Sequence, residues 1–296
     1  MSGRAERIGA MRCRVGESPV WRADEQALYW LDIDGRTLWR WQPSNDGSAC
    51  WALPQMAGCM AMEADGGWLL AMESAIFRVP RPDARQTALT PQVLAGVGHA
   101  APGMRFNDGR CDRQGRFWAG TMVGDMALAS PSGCLYRYMP GTGLSKVLDD
   151  LIVPNGLAFS PDGRTMYLSD SHPRRRCIWA FDYDIDSGTP RHRRLFVDMR
   201  QHPGRPDGAA VDAEGGYWIC GNDAGLVHRF TPAGKLDRSL AVPVAKPAMC
   251  AFGGSLLDVL YVTSIRPADA APDDLAGAVF ALRPGVQGMR EAVFAR

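Results

Sequence analysis

Pro154-Asn155-Gly156-Leu157-Ala158-Phe159, the turn Pro161-Asp162-Gly163-Arg164, the run Met166-Tyr167-Leu168-Ser169 and the run Ile178-Trp179-Ala180-Phe181 decide how this chain is read. A polar residue opens a small apolar strand. A tight Asp-Gly turn then supplies the positive φ that a hairpin needs. Two further strands follow, the second alternating in character. The same order returns throughout the sequence. Tyr29-Trp30-Leu31-Asp32, Trp68-Leu69-Leu70-Ala71, Phe117-Trp118-Ala119-Gly120, Tyr217-Trp218-Ile219-Cys220 and Leu260-Tyr261-Val262-Thr263 match the first of these runs. Leu38-Trp39-Arg40-Trp41, Ile76-Phe77-Arg78-Val79, Leu135-Tyr136-Arg137-Tyr138, Val227-His228-Arg229-Phe230 and Val279-Phe280-Ala281-Leu282 match the second.

Six copies at intervals of about 40 to 60 residues have the period of propeller blades. Helical periodicity is scarce. A β-sandwich would have fewer strands, and a βαβ fold would place helices between them. The expectation is an all-β, six-bladed β-propeller with residues 1–296 as one domain. The stretch from Arg81 to Met104 reads as an inter-blade connection that covers one mouth of the channel.

The 296 residues are 46% apolar and 22% charged with a net charge of +1, a composition able to bury a core. That balance argues against nucleic acid, which requires a clustered basic excess. The densest basic run, Arg174-Arg175-Arg176, reads as a solvated loop. No apolar run reaches the roughly 20 residues of a membrane span. The first eleven residues lack the apolar centre of a secretory leader. Eight scattered cysteines without CxxC pairs imply a reducing, cytoplasmic setting with no disulfide framework. Oligomeric state is not legible.

Four innermost strands align without gaps as Glu17-Ser18-Pro19-Val20-Trp21, Asn107-Asp108-Gly109-Arg110-Cys111, Asn155-Gly156-Leu157-Ala158-Phe159 and Asp207-Gly208-Ala209-Ala210-Val211. Innermost strands line a propeller's channel, so Glu17, Asn107, Asn155 and Asp207 are expected to converge on its axis. Two carboxylates held together away from water repel, and a cation between them resolves the repulsion. Carboxylate and amide oxygens are hard ligands suited to Ca, Mg or Mn. Zinc accepts such oxygens as well, although no His-rich or Cys-rich cluster points to it. One divalent ion of unassigned identity is the expectation.

These stretches also carry a resemblance. Gly16-Glu17-Ser18-Pro19-Val20-Trp21, Arg105-Phe106-Asn107-Asp108-Gly109, Phe117-Trp118-Ala119-Gly120-Thr121-Met122, Pro154-Asn155-Gly156-Leu157-Ala158 and Pro206-Asp207-Gly208 resemble the senescence-marker-protein/gluconolactonase family. That family includes regucalcin and bacterial sugar lactonases. The resemblance implies a metal held by Glu17, Asn155 and Asp207, with Asn107 beside metal and substrate and Arg105 on substrate oxygens. Where some members place a glutamate that touches the sugar, this chain has Val123-Gly124-Asp125, so Asp125 is the shorter candidate.

The expected activity is hydrolysis of an aldono- or aldarolactone, a small-molecule substrate, with Asp207 taking the proton of the attacking water. Arg174, Arg175 and Arg205 near the mouth favour a dianionic aldaric substrate. Asp170 and His172 are further residues to place, and Asp32 occupies the position matching Asp170. No Gly-x-Ser-x-Gly, Walker A or Rossmann signature occurs. Two other functions use the same fold: a calcium-binding or interaction propeller without catalysis, and a promiscuous metal-dependent esterase or organophosphatase.

Overall fold

The computed structural model describes residues 4–271 and 274–295. After β1 (Glu6–Ile8), the first blade is β2 (Gly16–Arg22), β3 (Ala27–Asp32), β4 (Thr37–Gln42) and β5 (Gly47–Ala52). The second is β6 (Ala57–Glu63), β7 (Trp68–Met72), β8 (Ala75–Val79) and β9 (Gln92–Gly96). The third is β10 (Met104–Cys111), β11 (Phe117–Val123), β12 (Gly133–Met139) and β13 (Gly143–Leu151). The fourth is β14 (Pro154–Phe159), β15 (Thr165–Asp170), β16 (Cys177–Asp184) and β17 (Thr189–Asp198). The fifth is β18 (Arg205–Val211), β19 (Tyr217–Asn222), β20 (Leu226–Phe230) and β21 (Leu236–Ala241). The sixth combines β22 (Pro247–Gly253), β23 (Val259–Ser264) and β24 (Val279–Leu282) with β1 as its outer strand. Because β1 pairs with β24 through Glu6↔Ala281 and Ile8↔Val279, the beginning of the chain closes the ring. The fold is the expected six-bladed propeller.

The core is a ring of six apolar seams, one between each pair of neighbouring blades. Tyr29 and Trp68 join the first and second blades at 4.7 Å, and Tyr167 and Tyr217 join the fourth and fifth at 4.8 Å. Trp21 stacks on Tyr261 at 5.6 Å where the last blade meets the first. Each large ring removes on the order of 150–250 Å² from water. The repeated aromatic residues of the second strands are therefore the packing between blades.

A second repeat device sits at the hairpins. Asp112 accepts from the backbone N–H of Gln114 at 3.0 Å and Arg116 at 2.9 Å, and from Arg116 Nη1 at 3.0 Å. Asp212 likewise accepts from the N–H of Glu214 at 3.0 Å and Gly216 at 2.8 Å, and from Trp218 Nε1 at 2.8 Å. Gly115 and Gly215 take φ of 84° and 83° in these turns. The buried carboxylate thus ties the turn to the following strand.

The segment from Arg81 to Met104 differs from its expected role as a cover. It contains β9, the outermost strand of the second blade. Its earlier part lies along the first blade, with Trp51 Nε1 donating to Asp83 O at 2.9 Å and Leu89 N to Ala52 O at 2.9 Å. Backbone pairing with β5 and β8 holds it at the rim.

All six innermost strands carry a one-residue irregularity of register, between Glu17/Val20, Ala57/Cys59, Phe106/Gly109, Asn155/Ala158, Pro206/Ala209 and Pro247/Cys250. Such bulges bend a strand and re-aim its side chains. They also bring backbones close: a Cβ on Gly58 would lie 2.4 Å from Phe106 O and 2.5 Å from Asn107 O. Gly58→Ala is therefore expected to lower stability by about 1–3 kcal/mol in denaturant titration. An unchanged unfolding midpoint would contradict this account of the inner ring.

Candidate functional site

The innermost strands all run in one direction, so the residues near their starts share one end of the channel. Glu17, Asn107, Asn155 and Asp207 lie there, 7%, 8%, 4% and 6% exposed. They do not occupy one repeat position. Glu17 and Asn155 are the last paired residues before their bulges, opposite Leu31 and Ser169. Asn107 and Asp207 each follow the last paired residue, Phe106 or Pro206. The backbone explains the offset from the gap-free alignment. After Glu17 and Asn155 the chain turns left-handed, at Ser18 (φ 49°) and Gly156 (φ 61°). Glycine reaches this region readily, whereas serine does so under strain. Ser18 is held across the blade boundary by Met60 N–H, which donates to its Oγ at 3.0 Å.

A hydrogen-bonded chain joins the amides. Arg105 Nη1 donates to Asn107 Oδ1 and to Phe106 O, both at 2.8 Å. Asn107 Nδ2 donates to Pro154 O at 3.1 Å and Asn155 Oδ1 at 3.3 Å. On the other side, Asn222 Nδ2 donates to Asp207 Oδ2 at 2.6 Å. Arg205 donates to Asn222 Oδ1 at 3.3 Å and to Asp223 Oδ2 at 2.6 Å, and Lys246 pairs with Asp223 as well.

The carboxylates oppose one another. Burial first, then the charges of Asp207 and Asp108, push the Glu17 carboxyl well above its usual range, while Ser18 N–H and Arg105 pull it down. Burial pushes Asp207 up to about 7 against the opposing pull of Arg205 and Asn222, with Asp108 adding to the rise. Burial also lowers the Arg105 guanidinium, against Asp34, Glu17, Glu73 and Asp207. Asp108 is the participant that sequence reasoning missed. Its Oδ2 accepts from Leu157 N–H at 2.9 Å, and its buried Oδ1 has no hydrogen-bond partner. The Asn107-Asp108-Gly109 run was its only signal, and that run reads as a turn.

This chemistry fits a cation. Two buried carboxylates that resist joint ionisation, beside two amide oxygens, form a hard donor set. Among the described residues no group of three or more His, Cys, Asp and Glu could hold a metal, so amide oxygens would have to complete the set.

Other sequence candidates have structural partners. Asp170 accepts from the N–H of Ile152 at 2.8 Å, Val153 at 3.1 Å and His172 at 3.1 Å. Asp32 does the same for Arg14 at 2.9 Å, Val15 at 3.0 Å and Gly35 at 3.0 Å. His172 Nδ1 accepts from Arg174 N–H at 3.2 Å, which leaves Nε2 to donate to Met126 O at 3.2 Å. Asp125 is exposed and caps the short 3-10 turn Met126–Leu128, its Oδ1 accepting from Ala127 N–H at 3.0 Å.

The sequence pattern described as SMP-30/Gluconolactonase/LRE-like region matches residues 15–266. The chain is 38% identical over 285 residues to a 6-deoxy-6-sulfogluconolactonase of Pseudomonas putida, covering 95% of each chain. It is 35% identical over 255 residues to regucalcin of Xenopus laevis, covering 85% of this chain and 83% of that one. It is 32% identical over 294 residues to the pentonolactonase XacC of Haloferax volcanii, covering 96% of each. Among solved structures, a calcium-binding protein, regucalcin, from Agrobacterium tumefaciens superimposes with a TM-score of 0.89 at 26% identity, over 100% of this chain and 98% of that one. With the match spanning most of the propeller, the chain belongs to the SMP-30/gluconolactonase/LRE-like family.

Proposed function

We propose that the protein hydrolyses the lactone of a sugar acid to the open-chain acid, using one divalent ion held by Glu17, Asn155 and Asp207. The buried, mutually opposed carboxylates Glu17 and Asp207 carry this reading, because a cation relieves their repulsion. The relatives named sulfogluconolactonase and pentonolactonase support the substrate class, and the structure described as calcium-binding supports the ion. All eight cysteines are free thiols, which supports a cytoplasmic setting.

A divalent ion bound there would polarise the lactone carbonyl and offset the charge of the tetrahedral oxyanion. Asp207 takes the proton of the attacking water, its carboxylate oriented by the Asn222 amide on Oδ2. That proton passes to the ring oxygen as the acyl C–O bond breaks. Arg105 and Asn107, locked together at 2.8 Å, orient the sugar oxygens. Asp125 contributes Oδ2 from the rim. Arg175 is paired with Asp150 at 3.1 Å and Arg205 with Asp223 at 2.6 Å. These pairings engage two of the three arginines that favour a dianionic aldaric substrate, while Arg174 is exposed.

Chelation is expected to abolish lactone hydrolysis, and a divalent ion to restore it. Asp207→Ala is expected to fold and to lose about 10²–10⁴-fold in rate, measured by acid release from a panel of sugar lactones. Unimpaired hydrolysis by that variant contradicts the assignment.

Stability gives an independent test. Because folding raises the Glu17 and Asp207 pKa values, the metal-free fold retains protons that the unfolded chain has lost. The penalty is absent below about pH 4 and grows as pH rises. The Asp207 contribution is complete once pH passes its folded value of about 7. In chelated protein at pH 7.5, Glu17→Gln and Asp207→Asn should each stabilise the fold, with little effect at pH 4. Comparing each variant with wild type at one pH cancels the opposite contribution of His228, whose pKa burial lowers. Lower melting temperatures for both variants at pH 7.5 contradict the proposed repulsion.

A further inference from the structure

The side chain of Asn155 makes one hydrogen bond among the described residues, a long one accepted from Asn107 Nδ2 at 3.3 Å. Where its Oδ1 points is therefore set mainly by the backbone. That backbone is irregular. The ladder between β14 and β15 passes from Asn155↔Ser169 to Ala158↔Tyr167 and skips Gly156 and Leu157. Peptide groups dropped from a ladder inside a protein need other partners.

Both neighbouring blades supply them. Asp108 of β10, in the third blade, accepts from Leu157 N–H at 2.9 Å. Tyr217 of β19, in the fifth blade, donates from its hydroxyl to Gly156 O at 2.7 Å. Tyr217 is fully buried, and burial first, then the charge of Asp108, raises its phenol well above the ordinary value. The donor thus stays protonated. A Cβ on Gly156 would lie 2.5 Å from this hydroxyl and 2.8 Å from Ser169 Oγ, so the glycine is what admits the phenol.

Packing alone does not require the hydroxyl. At the same repeat position the other blades carry Tyr29, Trp68, Phe117, Met166 and Leu260, and Phe117 is fully buried without one. The Tyr29 hydroxyl turns elsewhere, to Glu25 at 2.7 Å. Only in the fifth blade does this position reach the peptide next to a proposed ligand.

We propose that Tyr217 is a positioning residue for the divalent ion: its hydroxyl fixes the Gly156 carbonyl and thereby the Asn155 side chain. The inference rests on the ion proposed between Glu17, Asn155 and Asp207. Tyr217 acts through the backbone, across the seam where its ring packs on Tyr167 at 4.8 Å. A ligand set works when it is held to about 0.5 Å, and loss of an outer partner costs about 10–100-fold in metal affinity.

The test titrates Mn²⁺ into chelated protein and reads binding from the loss of the free-ion paramagnetic resonance signal. Melting of the same samples without ion reads stability. Tyr217→Phe keeps the ring, as Phe117 does in its own blade, and is expected to fold with an ion dissociation constant raised at least about tenfold. Tyr183→Phe is the control. Its buried hydroxyl donates to Asp112 Oδ2 at a hairpin turn, so its loss should lower the melting temperature and leave ion affinity unchanged. Wild-type affinity in Tyr217→Phe, or an equal loss of affinity in Tyr183→Phe, overturns the role of Tyr217 and leaves the ion site standing. A wild-type protein that binds no ion overturns the proposed function together with this inference.

Discussion

Glu17 and Asp207 are brought together by blades that the sequence separates widely, inside a ring whose packing leaves them little water. Each is 7% exposed or less, burial raises the pKa of both, and the charge of Asp207 further opposes ionisation of Glu17. Repulsion of this kind could not persist if the inner strands were free to spread. The six apolar seams between blades prevent that, and β1 locks the ring by completing the sixth blade. The energy of the fold is thus spread around the rim, while the strain is concentrated at the axis. That division of labour is expected of functional sites.

The bulges convert this architecture into chemistry. A regular strand would send alternate side chains to opposite faces and could not place consecutive repeats as donors at one mouth. The left-handed residues Ser18 and Gly156 give two strands one geometry, and the bulges after Phe106 and Pro206 give two others another. Carboxylates and amides then meet from four blades. Asn222 and Arg105 fix the orientation of Asp207 and Asn107, and Asp108 adds a buried negative charge beneath them.

The second and third strands of every blade were legible, because each carries aromatic or β-branched residues, and a turn glycine such as Gly115, Gly163 or Gly215 precedes the second strand in most blades. The inner strands of the second and sixth blades, Ala57–Glu63 and Pro247–Gly253, were not. They lack a polar residue at the mouth and resemble any buried run. Ring closure by Glu6–Ile8 was equally hidden, since three residues carry no periodicity and their partner lies at the far end of the chain. The convergence of Glu17, Asn107, Asn155 and Asp207 was readable from the repeat, but their one-residue offset depends on a positive φ at a serine. Asp170 and His172 looked chemical in sequence because their backbone partners, Ile152, Val153 and Met126, come from other loops. The Arg81–Met104 stretch hid a strand because β9 is mostly polar or exposed.

The central claim is that one cation belongs between side chains of the first, fourth and fifth blades. Crystals soaked in Mn²⁺, measured for anomalous scattering, test it most directly. The account predicts one dominant anomalous peak within coordination distance of Glu17, Asn155 and Asp207, absent from Glu17→Gln crystals. A site left empty at saturating Mn²⁺, or a dominant peak elsewhere on the molecule, would contradict it.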